Sequence, residues 1–195
     1  MAPERPRRRD ARENAEKLRA AALEAFLATG LDAPLEAIAR VAGVQVGTLY
    51  NHFGTREGLI DAVMPEVVAG RLQAVADAAL ARGTARDRLD TFVRLVVDLL
   101  EGEPALSDAI MQRYPEAGVL GDVCERNTGI VRELVRDAHR SGELSDSFSA
   151  DDVISLIWLG GAAGRATPAH PGWRRVIDRA MASAWTAAGD SAPAL

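Results

Sequence analysis

Residues 35–59 read LEAIARVAGVQVGTLYNHFGTREGL. Ile38 and Ala39 belong to an apolar spacing of three and four residues, which is the period of a short amphipathic helix. Gly43 breaks that helix, Val44 fills the turn, and a second short helix begins with small and polar residues. This order predicts a helix-turn-helix. Periodicity alone also fits any tight helical corner.

Helical periodicity continues along the rest of the chain, and strand signals are almost absent. Thr55 and Ser149 stand where two helices need N-caps, and each is followed by acidic residues in the first turn. The sequence therefore predicts an all-α fold, with a small helix-turn-helix domain over residues 1–55 and a larger helical domain over residues 56–195. The predicted helices span residues 10–29, 34–42, 45–52, 56–81, 85–101, 104–113, 118–141, 150–164 and 171–188.

The charge of the chain is unevenly distributed. The 195 residues carry a net charge of −5, but the first 60 hold 9 Lys and Arg against 8 Asp and Glu. Arg5, Arg7, Arg8 and Arg9 are opposed within the first nine residues only by Glu4. A positive N-terminus suits a phosphate backbone, so we expect a flexible arginine arm in which Arg9 contacts DNA. A solvated tail without a partner is the alternative.

Several classes of protein are disfavoured by what the sequence lacks. The single cysteine, Cys124, forms no intramolecular disulfide and no cysteine metal cluster. No apolar stretch reaches the roughly 20 residues of a membrane span, and the basic N-terminus lacks the apolar run of a secretory signal. His52, His139 and His170 have no metal-ligand spacing, and no nucleophile elbow, phosphate loop or dinucleotide fingerprint is present. We expect a cytoplasmic protein that is not an enzyme and uses no cofactor or metal. A purely protein-binding helical module remains as a rival class.

The pattern IA..AGV..GTLY.HF..RE.L within residues 38–59 resembles the N-terminal domain of the TetR family of bacterial transcriptional regulators. The resemblance extends over about residues 20–64. It implies a three-helix helix-turn-helix domain followed by a helical dimerisation and ligand-binding domain. It also implies a homodimer that binds double-stranded operator DNA as a repressor. A small, largely apolar effector is expected to release this dimer from the DNA.

The same resemblance assigns DNA contacts to Gln45, Val46, Gly47, Thr48, Tyr50, Asn51, His52 and Arg56. A glutamine can read adenine, a valine can touch a thymine methyl, and a glycine permits close approach of helix and DNA. Hydroxyl, phenol and imidazole groups can donate to phosphate oxygens. The alternative is that Tyr50 and His52 only decorate a helix surface. Pro34 stands where relatives often have a phosphate-binding Ser or Thr, so we expect that contact to be lost or moved.

Two further sets of residues follow from the resemblance. The residues expected around a ligand cavity are Met64, Leu95, Leu99, Met111, Tyr114, Cys124, Asn127 and Val131. The residues expected at a two-fold helical interface are Ile154, Ile157, Trp158, Gly161, Trp173, Ile177, Met181 and Trp185. Plain core packing is the alternative for the first set, and closure of the monomer's own core is the alternative for the second. Cys124 is expected to be a buried thiol without a redox role.

Overall fold

The structure is a computed structural model that describes residues 4–113, 119–166 and 172–186. Within these ranges the chain forms nine helices, and its β-structure is limited to one isolated bridge between Leu144 and Trp185. This confirms the all-α prediction. In chain order they are α1 (Glu4–Thr29), α2 (Leu35–Val41), α3 (Val46–Phe53), α4 (Arg56–Leu80), α5 (Ala85–Gly102), α6 (Pro104–Arg113), α7 (Val119–Arg140), α8 (Ala150–Arg165) and α9 (Trp173–Ala184).

The first helix begins earlier than the sequence predicts. Residues 4–9 are continuous with α1, so the expectation of a flexible arm is wrong for these residues. Arginine is a good helix former, and ion pairs at i,i+4 spacing join Arg12 to Glu16 and Lys17 to Glu13. The positive charge of Arg9 is therefore presented from a helix.

Both predicted N-caps are confirmed. The Thr55 hydroxyl accepts a hydrogen bond from the Gly58 backbone N–H at 3.1 Å. At the start of α8, the Ser149 hydroxyl accepts from the Asp152 N–H at 3.2 Å, while the Asp152 carboxylate accepts from the Ser149 N–H at 2.8 Å. This reciprocal capping box satisfies two backbone donors that the helix cannot pair internally.

One compact unit combines Met1–Val68 with Glu103–Gly121. In this unit α1 contacts α2, α3 and α6, and α2 contacts α3. Its centre consists of apolar side chains that are fully buried or nearly so: Leu18, Phe26, Ile38, Leu49 and Leu59. The amphipathic faces predicted from the sequence thus converge on one core, and the polar faces of the short helices remain outside.

The second unit combines Ala69–Gly102 with Asp122–Leu195. Here α5 packs against α8, and α8 packs against α9. Gly160 permits this close packing, because a Cβ built at that position would lie 2.7 Å from Ile177 Cδ1 and 3.3 Å from Val97 Cγ2. None of the helices in the described ranges is long and apolar enough to cross a membrane.

Candidate nucleic-acid interface

The corner between α2 and α3 is fixed by backbone geometry. Pro34 is the N-cap of α2, one residue before the first helical turn, and its carbonyl accepts from the N–H groups of Ala37 and Ile38 at 3.0 and 3.2 Å. Gly43 adopts a φ of 71°, which only glycine occupies without strain. The next N–H, of Val44, then donates to the Ala39 carbonyl at 3.0 Å. The chain therefore leaves α2 in one defined direction.

Helix α3 has one buried face and one exposed face. Leu49 is fully buried and Phe53 half-buried, so the helix is anchored through these two side chains. The predicted DNA contacts lie on the remainder of the helix and at its start. Gln45, Gly47, Tyr50, Asn51 and His52 are exposed, and Val46 and Thr48 are half-buried. A helix that presents its N-terminal residues to solvent in this way has the geometry of a major-groove recognition helix.

Gly47 has no structural requirement for glycine within the described chain. Its φ is not positive, and a Cβ built at this position meets nothing within 4 Å. Glycine in a helix costs about 1 kcal/mol relative to alanine, so an internal reason for keeping it is missing. Close approach of an external surface to the start of α3 would supply one.

Arg56 is held by the fold. Its Nη1 donates to the carbonyl oxygens of Leu31 and Ala33 at 2.8 and 2.6 Å, and the side chain is half-buried. These two carbonyls belong to the loop between α1 and α2, so Arg56 ties the start of α4 to that loop. The sequence assigned Arg56 only a phosphate contact and did not indicate this second role.

Arg19 is a cation near α3 that the sequence analysis missed. Its guanidinium lies over the Phe53 ring, 5.9 Å from the ring centroid, and the His52 ring lies 6.1 Å from that of Phe53. Arg9 and Arg40 are exposed elsewhere on this unit, on α1 and α2. The contact of Arg19 joins α1 to α3 and leaves no periodic signal in the sequence, so only the fold reveals it.

The residues predicted for a two-fold interface fall into two groups. Ile154, Ile157 and Trp158 on α8 and Trp173 on α9 are half-buried in the single chain, whereas Gly161 is buried. The remaining residues, Ile177, Met181 and Trp185, retain only 7–8 % of their surface. Because α9 lays its one apolar face onto its own unit, these three side chains close the core of that unit. The large apolar residues exposed on these two helices are Leu159 (63 %) and Val176 (64 %), which no signal in the sequence singled out.

The predicted cavity residues are placed as follows. Met64 and Met111 belong to the first unit, where Met64 is fully buried and Met111 half-buried. In the second unit Cys124 and Val131 are buried, and Leu95, Leu99 and Asn127 are half-buried. Tyr114 lies outside the described residues. Burial raises the pKa of the Cys124 thiol to about 11, so the thiol is neutral and unreactive at physiological pH.

A groove of about 350 Å³ lies between α5 and α9, and polar residues form most of its lining. Met181, which was predicted for the two-fold interface, is the one lining residue that the sequence had indicated for any site. On its edge the Trp185 indole N–H donates to the Asp90 carboxylate at 3.0 Å, and Arg86 lies over the same indole. Burial raises the pKa of the Asp90 carboxyl, although the hydrogen bond from Trp185 opposes that shift. The groove is lined by Arg86, Asp87, Asp90, Thr91, Arg94, Asp178, Met181 and Ala182.

The corner at Gly43, the buried anchor Leu49 and the exposed start of α3 define a helix-turn-helix DNA-binding protein. Residues 18–63 match the sequence profile of the family described as bacterial regulatory proteins, tetR family. The DNA-binding segment is thus that of the tetR family of bacterial regulatory proteins, and the chain is a DNA-binding transcriptional regulator.

Three similar proteins support this assignment. The HTH-type transcriptional regulator BetI of Escherichia coli O17:K52:H18 is 29 % identical over 154 residues, which cover 71 % of this chain and 77 % of BetI. The HTH-type transcriptional repressor KstR of Mycolicibacterium smegmatis is 30 % identical over 129 residues, covering 64 % of this chain and 62 % of KstR. The crystal structure of the TetR transcriptional regulator SCO0520 from Streptomyces coelicolor superposes with a TM-score of 0.55 at 28 % identity, covering 89 % of this chain and 99 % of that one.

Proposed function

We propose that this protein is a dimeric repressor that reads operator DNA through the start of α3 and is released by a small, largely apolar ligand. The observation that carries the DNA-reading part is the exposed start of α3, where Gly47 leaves the helix surface open. The fold needs no glycine there, whereas a helix entering the major groove benefits from one.

The contacts divide into two kinds. Gln45, Val46 and Gly47 lie at the start of α3 and face base edges, so they set the preferred sequence. Thr48, Tyr50, Asn51 and His52 hold the helix in register through phosphate oxygens, which carry no sequence information. Arg9 and Arg56 add positive charge. The remaining guanidinium nitrogens of Arg56 are the ones we assign to phosphate, since its Nη1 already donates to two carbonyls.

Repression is the direction of regulation that we infer. The similar protein KstR is named a repressor, and this name is the support for the inference. The test places a DNA sequence selected by the purified protein between a promoter and a reporter gene. Expression should fall when the protein is supplied and recover with a variant that lacks α3 contacts, such as Gln45→Ala with Tyr50→Phe. Increased expression would contradict repression and leave DNA binding intact.

Dimerisation is assigned to the outer surface of α8 and α9. Leu159 and Val176 are exposed leucine and valine side chains on these two neighbouring helices, and a two-fold contact would bury them. One helix-turn-helix also offers too few contacts for a specific site on its own. The half-buried Ile154, Ile157 and Trp158 lie on the same helix as Leu159 and would extend the contact.

Sedimentation of charged variants tests the interface. Leu159→Glu should shift the protein toward monomer at micromolar concentration, and Ile157→Glu should do the same. Leu80→Glu is the matched control, because Leu80 is also an exposed leucine, at 51 %, but lies at the end of α4. A Leu159→Glu variant that remains as dimeric as the control would remove α8 from the interface.

Ligand release is assigned to the second unit. Leu95, Leu99 and Asn127 keep part of their surface uncovered by the chain, and the neutral thiol of Cys124 adds no charge to their neighbourhood. A set of this kind suits a largely apolar molecule with one or two hydrogen bonds. Coupling to DNA is reciprocal: a ligand that weakens operator binding must itself bind less tightly to the operator complex, typically by about 1–3 kcal/mol. Thermal-shift screening followed by operator-release assays tests this assignment.

A further inference from the structure

One polar residue interrupts the buried stripe of α7. Cys124, Val131 and Leu134 lie seven and three residues apart on one face of this helix, and they keep 8 %, 3 % and 2 % of their surface. Asn127 falls on the same line, between Cys124 and Val131, and is half-buried. An amide at the centre of an apolar stripe is costly unless its hydrogen-bonding groups are paired.

The Asn127 side-chain oxygen is buried and unpaired. Its Oδ1 has almost no contact with solvent and accepts no hydrogen bond from any part of the chain that the structure describes. The next residue behaves differently, because the Thr128 hydroxyl donates to the Cys124 carbonyl of its own helix at 3.1 Å. An orphaned acceptor of this kind costs folding stability, so the position calls for a donor from outside the described residues.

The surroundings on α7 restrict the chemistry of that donor. The Cys124 thiol is protonated, since burial raises its pKa to about 11. The charged residues near Asn127 on this helix, Glu125, Arg126, Arg132 and Glu133, are exposed. A charged donor at Asn127 would lose its hydration and would find no buried opposite charge on α7, so a neutral O–H or N–H group suits the position better.

We propose that Asn127 Oδ1 accepts a hydrogen bond from the effector, and that the effector is an uncharged, largely apolar molecule bearing one hydroxyl or amide N–H. This inference rests on the proposed ligand release and names the polar group that the ligand must carry. Asn127 thereby becomes the residue that selects donor-bearing ligands over acceptor-only ligands of the same shape.

The first test needs no ligand. Replacing an unpaired buried amide by an apolar side chain of similar size removes an uncompensated acceptor, so Asn127→Leu should raise the thermal midpoint of the ligand-free protein. Thr128→Val is the matched control, because it removes a hydroxyl that is already paired, and it should not raise the midpoint. A lower midpoint for Asn127→Leu would mean that the amide is paired within the folded chain, and would overturn the proposal.

The second test compares three probes of one length: octan-2-ol, octan-2-one and 2-aminooctane. The alcohol donates, the ketone only accepts, and the amine donates but is charged at neutral pH. Octan-2-ol should release operator DNA at a concentration about 3- to 10-fold lower than octan-2-one, as one hydrogen bond allows. The amine should be weaker than the alcohol. The preference for alcohol over ketone should disappear in Asn127→Leu and persist in Thr128→Val.

The outcomes separate this inference from the proposal on which it rests. Equal release by alcohol and ketone would overturn the role of Asn127 and leave ligand release standing, as would a preference for the ketone. No release by any probe, from a protein that binds its operator normally, would overturn both the effector class and the ligand release proposed above.

Discussion

Arg56 Nη1 lies 2.6 Å from the carbonyl oxygen of Ala33 and thereby joins the first residue of α4 to the loop before α2. The same nitrogen also donates to the Leu31 carbonyl. The residue that the family pattern marks for phosphate is therefore also a structural link within the DNA-binding unit.

This link predicts a stability effect of Arg56→Ala that is independent of DNA. The carbonyl oxygens of Leu31 and Ala33 lose their hydrogen-bond donor in this variant. Hydrogen bonds to charged groups contribute about 1.5–3 kcal/mol to stability. Urea unfolding should show a loss of free energy of unfolding in that range. Arg40→Ala, which removes an exposed arginine from α2, serves as the control and should change stability little. Equal stability of the two variants would mean that the hydrogen bonds of Arg56 do not stabilise the fold.

Gly47→Ala should separate folding from DNA binding. The new methyl group meets nothing within 4 Å, and alanine favours the helix by up to about 1 kcal/mol, so thermal stability should be equal or higher. Affinity for operator DNA should fall by roughly tenfold or more, because one good contact in the groove is worth about 1–3 kcal/mol. Gly70→Ala on α4, where the Cβ position is equally open, should stabilise the protein without an effect on DNA binding. Unchanged operator affinity of Gly47→Ala would show that α3 does not approach the DNA closely.

Gly160→Ala should destabilise the second unit. Its Cβ would lie 2.7 Å from Ile177 Cδ1 and 3.3 Å from both the Trp173 ring and Val97 Cγ2, so the buried Ile177 side chain would have to shift among close neighbours. Overpacking of this kind costs about 1–3 kcal/mol. Chemical denaturation should therefore reveal a lower midpoint than for wild type. Gly129→Ala on α7 has an open Cβ position and should raise the denaturation midpoint.

The capping box of α8 predicts a pH-dependent contribution to stability. Hydrogen bonds from the side chain and backbone of Ser149 hold the pKa of the Asp152 carboxyl below its ordinary value of 3.8. A group with a lowered pKa in the folded state stabilises fully above the unfolded pKa, and the effect is lost as pH falls through the folded pKa. Asp152→Asn should therefore lower the free energy of unfolding near neutral pH, and the difference from wild type should shrink below about pH 4.

Asp151→Asn is the control for this experiment. Asp151 is exposed and shares the first turn of α8, so it experiences the same helix dipole but takes no part in the capping box. Subtracting its effect isolates the contribution of the box. A pH profile of Asp152→Asn that coincides with that of Asp151→Asn would assign the whole effect to the dipole.

Much of the fold was predictable because its signals are local. Apolar spacing and the glycine and proline positions placed every described helix to within a few residues, apart from the early start of α1. The caps at Thr55 and Ser149 followed from residue type and position alone. The exposed start of α3 followed from the same pattern, since Leu49 is the one residue of that helix on the core side at full burial.

The remaining features depend on contacts between segments that are distant in sequence. Arg56 with Ala33 and Arg19 with Phe53 are tertiary pairs, and neither has a periodic signature. The apolar face of α9 could equally have met a second subunit or its own unit, because periodicity shows that a face must be buried and not what buries it. Ile177 and Met181 retain 8 % and 7 % of their surface, so the chain's own unit already covers this part of the face.

In the proposed function, the start of α3 reads the sequence of operator DNA as part of a two-fold dimer. Selection of bound sequences from a random DNA library with the purified protein tests it most directly. We predict a palindromic motif with half-sites centred about one helical turn, or a multiple of it, apart. A repeat with Gln45→Ala should change the preferred bases at symmetric positions, by about 1–3 kcal/mol at each contacted position. An unenriched library, or a motif that Gln45, Val46 and Gly47 substitutions all leave unchanged, would contradict the claim.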